Sequence, residues 1–305
     1  MEKSIRKSCH SAVFFLAVFL FAGCGKSSAK PTVKVAYLPI THALVLHETA
    51  KSKEVDVQLI RYGSWPELLD ALCTGRVDAA SVLIEPAMKA KAQGIDLAAL
   101  ALGHRDGNVI IVGNNINSAE DLRGKTFAIP HRASSHYLLL CELLTKNNIP
   151  ANAVKITELA PSEMPSALAT GRIAGYCVAE PFGAIAVEGA YGKVLVSSHE
   201  LWQDSICCAL LANGRFLKEN PELARRFLTE YKLAGENLAD KEQAYVSATE
   251  FLKQPPAVLK RSLEWITFGN LDLTAEAYGQ LAKLLKQYKV LEDSPAYENF
   301  AGDKL

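Results

Sequence analysis

The chain nearly repeats itself once. Ala71-Leu72-Cys73-Thr74-Gly75-Arg76-Val77-Asp78-Ala79-Ala80, continuing to Glu85-Pro86, returns as Ala167-Leu168-Ala169-Thr170-Gly171-Arg172-Ile173-Ala174-Gly175, continuing to Glu180-Pro181. Each copy reads as the end of a helix, a glycine turn, a buried strand, and Glu-Pro opening a new helix. The second copy is one residue shorter between its glycine and its glutamate. A spacing of about a hundred residues is too long for a solenoid period. It predicts two similar α/β lobes, each placing a glutamate at the carboxyl end of a strand, where open α/β sheets bind ligands.

The alternation of strands and helices supports this. Thr32–Tyr37 is alternating and β-branched, and Val55–Ile60 follows as a second strand. Ser64-Trp65-Pro66-Glu67 opens a helix with a capping-box pattern. Leu97–Leu102 and Asn108–Val112 are strands, the second leaving the lobe. Thr126–Ile129, Val154–Glu158, Lys193–Ser197 and Ser205–Leu211 continue the pattern, and the last returns to the first lobe. From Asn220 to about Tyr288 the chain is helical, broken at Pro255-Pro256. Strand–helix alternation predicts a largely parallel sheet in each lobe. Residues 32–113 with 212–305 form the expected first lobe, and 114–211 the second.

The first residues read differently. Lys3, Arg6 and Lys7 precede an apolar run, Ala12–Ala22, too short to span a bilayer comfortably. Leu20-Phe21-Ala22-Gly23-Cys24 is similar to a bacterial lipobox, with Phe21 in place of the usual Leu. The expectation is a signal peptide over 1–23, a lipidated Cys24, a linker over 24–31, and an extracytoplasmic protein anchored to the membrane. The five later cysteines, Cys73, Cys141, Cys177, Cys207 and Cys208, show no Cys-x-x-Cys and no disulfide framework. Net charge is zero, which gives no electrostatic footprint for nucleic acid.

Laid side by side, the lobes offer matching strand-to-helix turns. Pro39–Thr41-His42 matches Pro130–Ser134-Ser135, Trp65-Pro66 matches Pro161-Ser162, and Glu85-Pro86 matches Glu180-Pro181. Ser134 and Ser135, at a helix start with His131 and Arg132 beside them, form a candidate anion site, and one serine can equally be only a helix cap. Thr41 is placed likewise. Trp65 can wall a ligand or anchor the core. Glu85 and Glu180 can accept hydrogen bonds from a ligand or favour their own helix ends. His104-Arg105-Asp106-Gly107 reads as a turn between strands that can line the hinge or only make a local salt bridge.

A metal site from His104, His131, His136, Glu85 and Glu180 would need ligands gathered from several loops, with no His-x-His or His-x-x-x-His spacing. Cys207 and Cys208, adjacent in an apparent strand, would point to opposite faces. No metal and no cofactor is therefore expected. No nucleophile elbow, P-loop or dinucleotide fingerprint is present.

Tyr37-Leu38-Pro39-Ile40-Thr41-His42-Ala43, Ser64-Trp65-Pro66-Glu67-Leu68, Gly75-Arg76-Val77-Asp78-Ala79-Ala80, Leu122-Arg123-Gly124-Lys125 and Ala179-Glu180-Pro181-Phe182 resemble the substrate-binding proteins of nitrate/sulfonate/taurine-type ABC importers. That superfamily includes binders of thiamine-pyrimidine precursors. The resemblance runs from about Val33 to the C-terminal helices. It implies a type II periplasmic-binding-protein fold, two α/β lobes joined by two crossing strands. It also implies hinge closure on one small solute and delivery to a permease with a cytoplasmic ATPase. Its binding turns fall on Thr41, His42, Ser64, Trp65, Glu85, His131, Arg132, Ser134, Ser135 and Glu180.

Two departures matter. His47–Glu54 is shorter than the corresponding segment of relatives and lacks their Gly-Phe-Phe-like stretch. His131-Arg132-Ala133-Ser134-Ser135 stands where sulfonate binders often carry Lys-Gly-Ser-Thr. With two glutamates in the cleft, the expected solute has N–H donors beside an anionic or carbonyl end: a taurine-like zwitterion or a nitrogen heterocycle. A sensor that reports its solute to a membrane receptor shares the same fold. A pyrimidine-synthase enzyme also shares it, but its Cys-Cys-Cys-Phe-Cys motif is not matched by Ile206-Cys207-Cys208-Ala209-Leu210.

Overall fold

The computed structural model describes residues 31–301 and 305. The expected signal peptide, Cys24 and nearly all of the linker lie outside the described residues. Among the described residues, no helix is long and apolar enough to cross a membrane.

The strands are β1 (Thr32–Tyr37), β2 (Asp56–Arg61), β3 (Ala79–Leu83), β4 (Leu97–Leu102), β5 (Arg105–Asp106), β6 (Asn108–Gly113), β7 (Thr126–Ile129), β8 (Lys155–Glu158), β9 (Gly175–Ala179), β10 (Gly192–Ser197), β11 (Cys208–Asn213) and β12 (Ile266–Thr267). One sheet has the order β2-β1-β3-β11-β4, and the other β8-β7-β9-β6-β10. β12 and β5 form a short ribbon. In the first sheet β2, β1, β3 and β4 run one way and β11 the other. In the second, β8, β7, β9 and β10 run one way and β6 the other. Four of the five strands in each sheet run one way, in line with the expectation of largely parallel sheets, and the single reversed strand makes both sheets mixed. The reversed strand in each is the one that has crossed from the other half of the molecule. By sheet membership the crossings are Gly103–Gly107 and Ser198–Cys207. Thus β6 belongs with the second sheet and β11 with the first, so sheet membership does not follow the expected divisions at 113/114 and 211/212.

The helices are α1 (Leu44–Thr49), α2 (Trp65–Cys73), α3 (Ile84–Ala92), α4 (Ser135–Lys146), α5 (Met164–Ala169), α6 (Phe182–Glu188), α7 (Ser198–Leu201), α8 (Gly214–Glu219), α9 (Pro221–Asn237), α10 (Lys241–Leu252), α11 (Pro256–Glu264) and α12 (Ala275–Gln287). The repeat occupies α2–β3–α3 in one half and α5–β9–α6 in the other. Its two helix ends are built alike. Arg76 and Arg172 donate backbone N–H bonds to the carbonyls of Ala71 and Ala167, both at 2.9 Å. Gly75 and Gly171 sit at φ 70° and 71°, the left-handed conformation this helix stop requires. The residue missing from the second copy is the counterpart of Ile84, since Glu180 directly follows the strand end Ala179.

β3 and β9 are buried along their whole length because helices cover both faces of each sheet. In the second sheet the strand alternation sorts the core. Ile110, Val112 and Cys177 face one layer, while Val109, Ile111, Tyr176 and Val178 face the other. The C-terminal helices bridge the halves: α9 packs on α1, and α11 on α6. Arg261 in α11 pairs with Glu188 at 3.0 Å, and the Tyr288 hydroxyl donates to Glu142 at 2.6 Å.

Asn213 ties β11 to two elements. Its amide donates to the Val77 carbonyl at 2.7 Å, and its side-chain oxygen accepts from the Phe216 N–H at 2.8 Å, capping α8. Asn213→Ala is expected to lower unfolding free energy by about 2 kcal/mol, combining a lost cap with a stranded buried carbonyl. Urea titration checks this; a change of a few tenths would show that water replaces both bonds.

Candidate functional site

The strand-to-helix turns of both sheets meet in one buried region. After β1 the chain enters a short 3-10 turn, Thr41–Ala43. The Thr41 N–H and hydroxyl both donate to the Glu180 carbonyl, each at 2.9 Å. This joins the turn after β1 to the turn after β9. Thr41, His42, Glu85, Ser134, Ser135 and Glu180 are all buried.

Most of these groups are poorly satisfied. Neither oxygen of Glu85 has a hydrogen-bond partner, and the Ser135 hydroxyl has none. Burial pushes the Glu85 carboxyl well above its usual range, with the nearby Cys207 thiol adding to the shift and Ser135, close by but outside hydrogen-bond geometry, partly opposing it. Glu180 accepts from the Ala184 N–H at 3.1 Å through one oxygen, while the other has no partner. Its pKa is pushed up to about 8, chiefly by burial. Buried polar groups are nearly always paired, so this cluster of exceptions stands out within the core.

Other expected residues are engaged elsewhere. Ser64 caps α2 by accepting from the Glu67 N–H. Ser134 caps α4 by accepting from the Tyr137 N–H at 3.3 Å, and it donates to the His131 carbonyl. Arg132 is exposed, and its guanidinium donates to the Ile156 carbonyl at 3.0 Å, away from the cluster. Trp65 and His131 line a separate, mostly apolar groove of about 380 Å³ between α2 and α3. Trp65 is only 3% exposed, so it is also a core anchor; its indole N–H has no partner.

Three buried residues outside the expected binding set join the cluster. His104, Asn108 and His136 are fully buried with no hydrogen bond at any side-chain nitrogen or oxygen. His104 and His136 have pKa values lowered to about 4, mainly by burial. The Cys207 and Cys208 thiols lie 3.8 Å apart, correcting the expectation that they diverge. Cys207 precedes β11 rather than belonging to it, so strand alternation does not apply to the pair. Burial pushes the Cys207 thiol up, but the Cys208 thiol and His136, His104 and His42 outweigh it, and the net shift is down. The sequence signal available was a vicinal cysteine pair and a histidine just past the wholly apolar strand β4.

Residues 26–251 match the NMT1-like family. The taurine-binding periplasmic protein of Escherichia coli is 27% identical over 216 residues, 69% of this chain. The chain spans 64% of that protein's length and 30% of the bicarbonate transport ATP-binding protein CmpC of Synechococcus elongatus, which is 29% identical. Among solved structures, the ligand-binding component of an ABC-type import system from Staphylococcus aureus, with zinc bound, is 36% identical. It covers 89% of this chain and 96% of its own, with a TM-score of 0.85. The alkanesulfonate-binding protein SsuA of Xanthomonas axonopodis pv. citri, bound to MOPS, shares the fold at 19% identity. It covers 90% of this chain and 99% of its own, with a TM-score of 0.75. The protein therefore belongs to the NMT1-like family, and its two mixed sheets carry the periplasmic-binding-protein fold of its solved relatives.

Proposed function

We propose that the protein is the extracytoplasmic solute-binding component of an ABC importer. It is held to the membrane by a lipid on Cys24 after removal of residues 1–23. Two lobes close on one small polar solute and deliver it to a permease with a cytoplasmic ATPase. It works as a binder, not an enzyme. The observation that carries the reading is the set of buried, unpartnered polar groups where the turns of both sheets meet: Glu85, Asn108, Ser135, His136 and one oxygen of Glu180. Leaving each unpaired costs about 1–3 kcal/mol, which a ligand inserted between the lobes recovers. Glu85 and Glu180 accept from N–H groups, and Ser135 and Asn108 orient the other end. That chemistry suits a taurine-like zwitterion or a nitrogen heterocycle, and the taurine-binding relative supports it. A bare oxyanion fits less well, because Arg132 is turned away. The relative solved with zinc supports a metal ion as a second kind of ligand.

A thermal-shift panel in the presence of EDTA tests the organic-solute reading, using taurine, alkanesulfonates, nitrate, bicarbonate, pyrimidine precursors and flavins. A ligand bound only by the folded state raises the melting temperature by mass action. One compound class is expected to do so, and Glu85→Gln should bind it about tenfold or more weakly, because a cationic N–H group of the ligand can ionise the carboxyl it pairs with but not an amide. Absence of any shift, or full affinity in Glu85→Gln, counts against the reading.

A further inference from the structure

Where the crossings meet the first sheet, four soft donors converge. His42 comes from the turn after β1, His104 from the first crossing, Cys207 from the second crossing, and Cys208 from the first residue of β11. All four are buried, and one donor atom from each lies within 4.8 Å of the others. We propose that these residues form a transition-metal site that takes one divalent ion of zinc-like softness.

The distances suit the ion. A tetrahedral zinc centre has bonds of about 2.3 Å to sulfur and about 2.0–2.1 Å to nitrogen. Those bonds set tetrahedron edges of about 3.8 Å between two sulfurs and about 3.6 Å between sulfur and nitrogen. Cys207 Sγ and Cys208 Sγ are 3.8 Å apart, and Cys208 Sγ and His42 Nδ1 are 3.6 Å apart. The spacing of a coordination shell is already present in these two contacts.

The protonation pattern suits it too. His42 Nε2 donates to the Gly107 carbonyl at 3.2 Å. That bond places the proton on Nε2 and leaves the Nδ1 lone pair facing Cys208, the outer-shell arrangement that orients metal-bound imidazoles. Neither nitrogen of His104 has a partner. Its ring lies against the Cys207 thiol, with a donor nitrogen inside the cluster.

Charge selects the ion class. On binding, both thiols lose their protons to solvent, and two thiolates balance a doubly charged cation. The complex is then neutral, as a fully buried site requires. Thiolate and imidazole donors exclude magnesium and calcium, which take oxygen ligands. Because His104 and Cys207 lie on the two crossings, the ion would tie the hinge segments to each other and to the turn after β1.

Cobalt(II) tests the site without reference to any organic solute. The purified protein is reduced, stripped with EDTA and titrated with Co²⁺. One equivalent is expected to give intense visible d–d bands of a tetrahedral centre and a near-ultraviolet thiolate-to-cobalt band, both abolished by excess Zn²⁺. Cys208→Ser and His104→Ala should weaken binding by more than the roughly 10–100-fold typical of losing an outer-shell partner, whereas His47→Ala, which removes an imidazole paired with Glu250, should leave it unchanged. Since buried cysteine variants can fail to fold, X-ray absorption of the zinc-loaded parent provides an independent reading, with two sulfur and two nitrogen neighbours expected. A weak octahedral cobalt spectrum, or a zinc shell of oxygen and nitrogen only, overturns the proposal. The solute panel with EDTA and the cobalt titration can fail independently of each other.

Discussion

At pH 8 the Glu180→Gln variant is expected to exceed the parent in unfolding free energy by about 4 kcal/mol, and at pH 4 by almost nothing. The carboxyl is fully buried and titrates near 8, against 4.5 for an ordinary glutamate. Between those values the folded state keeps a proton that the unfolded chain releases. The folded state therefore binds more protons, and its stability falls as pH rises through this window. Below about pH 4.5 both states are protonated and the cost vanishes. Glutamine mimics the protonated form and can still accept from the Ala184 N–H. His104 and His136, with lowered pKa values, give the opposite slope between about 4 and 6.5, but parent and variant share them. The difference between the two proteins therefore isolates Glu180. Urea unfolding at pH 4, 6 and 8 measures it, and a gain independent of pH would mean that Glu180 titrates alike in the folded and unfolded chain. A stabilised variant that binds solute poorly is what a strained binding site should yield.

Gly183→Ala is expected to cost about 3 kcal/mol and to disturb the same carboxyl. A Cβ there would fall well inside van der Waals contact with Glu180 Oε1 and Val109 Cγ2. Both neighbours are buried and cannot swing into solvent. Gly279, in the middle of α12, has open space around the same position. Gly279→Ala should therefore raise stability by about 0.5–1 kcal/mol, since alanine loses less backbone entropy in a helix. Thermal unfolding of both variants decides the matter: if Gly183→Ala melts like the parent, the packing between α6 and β6 is looser than described.

Much of the fold was legible because the repeat is local. A helix stop, a glycine turn, an apolar strand and Glu-Pro are each encoded within sixteen residues, and both copies form as read. Sheet direction was less legible. β6 and β11 have the same apolar character as their parallel neighbours, and only long-range pairing shows that they run backwards. The turns carrying Thr41, Glu85, Ser135 and Glu180 were also readable, since they repeat between halves. Arg132 could not be placed, because its direction depends on the Ile156 carbonyl of a neighbouring strand. The thiol–imidazole cluster was the hardest to see. His42 and Cys208 are separated by 166 residues, and no spacing rule links them. Their meeting depends on β3 lying between β1 and β11, and His104 joins them because β4 pairs with the other edge of β11.

Small-angle X-ray scattering of the purified protein tests closure most directly, with and without the compound that gives the largest thermal shift. Closure of two lobes on a solute is expected to lower the radius of gyration in a saturable manner, with a midpoint that matches the binding constant. An unchanged radius at saturation would contradict hinge closure and leave a rigid binding protein in its place.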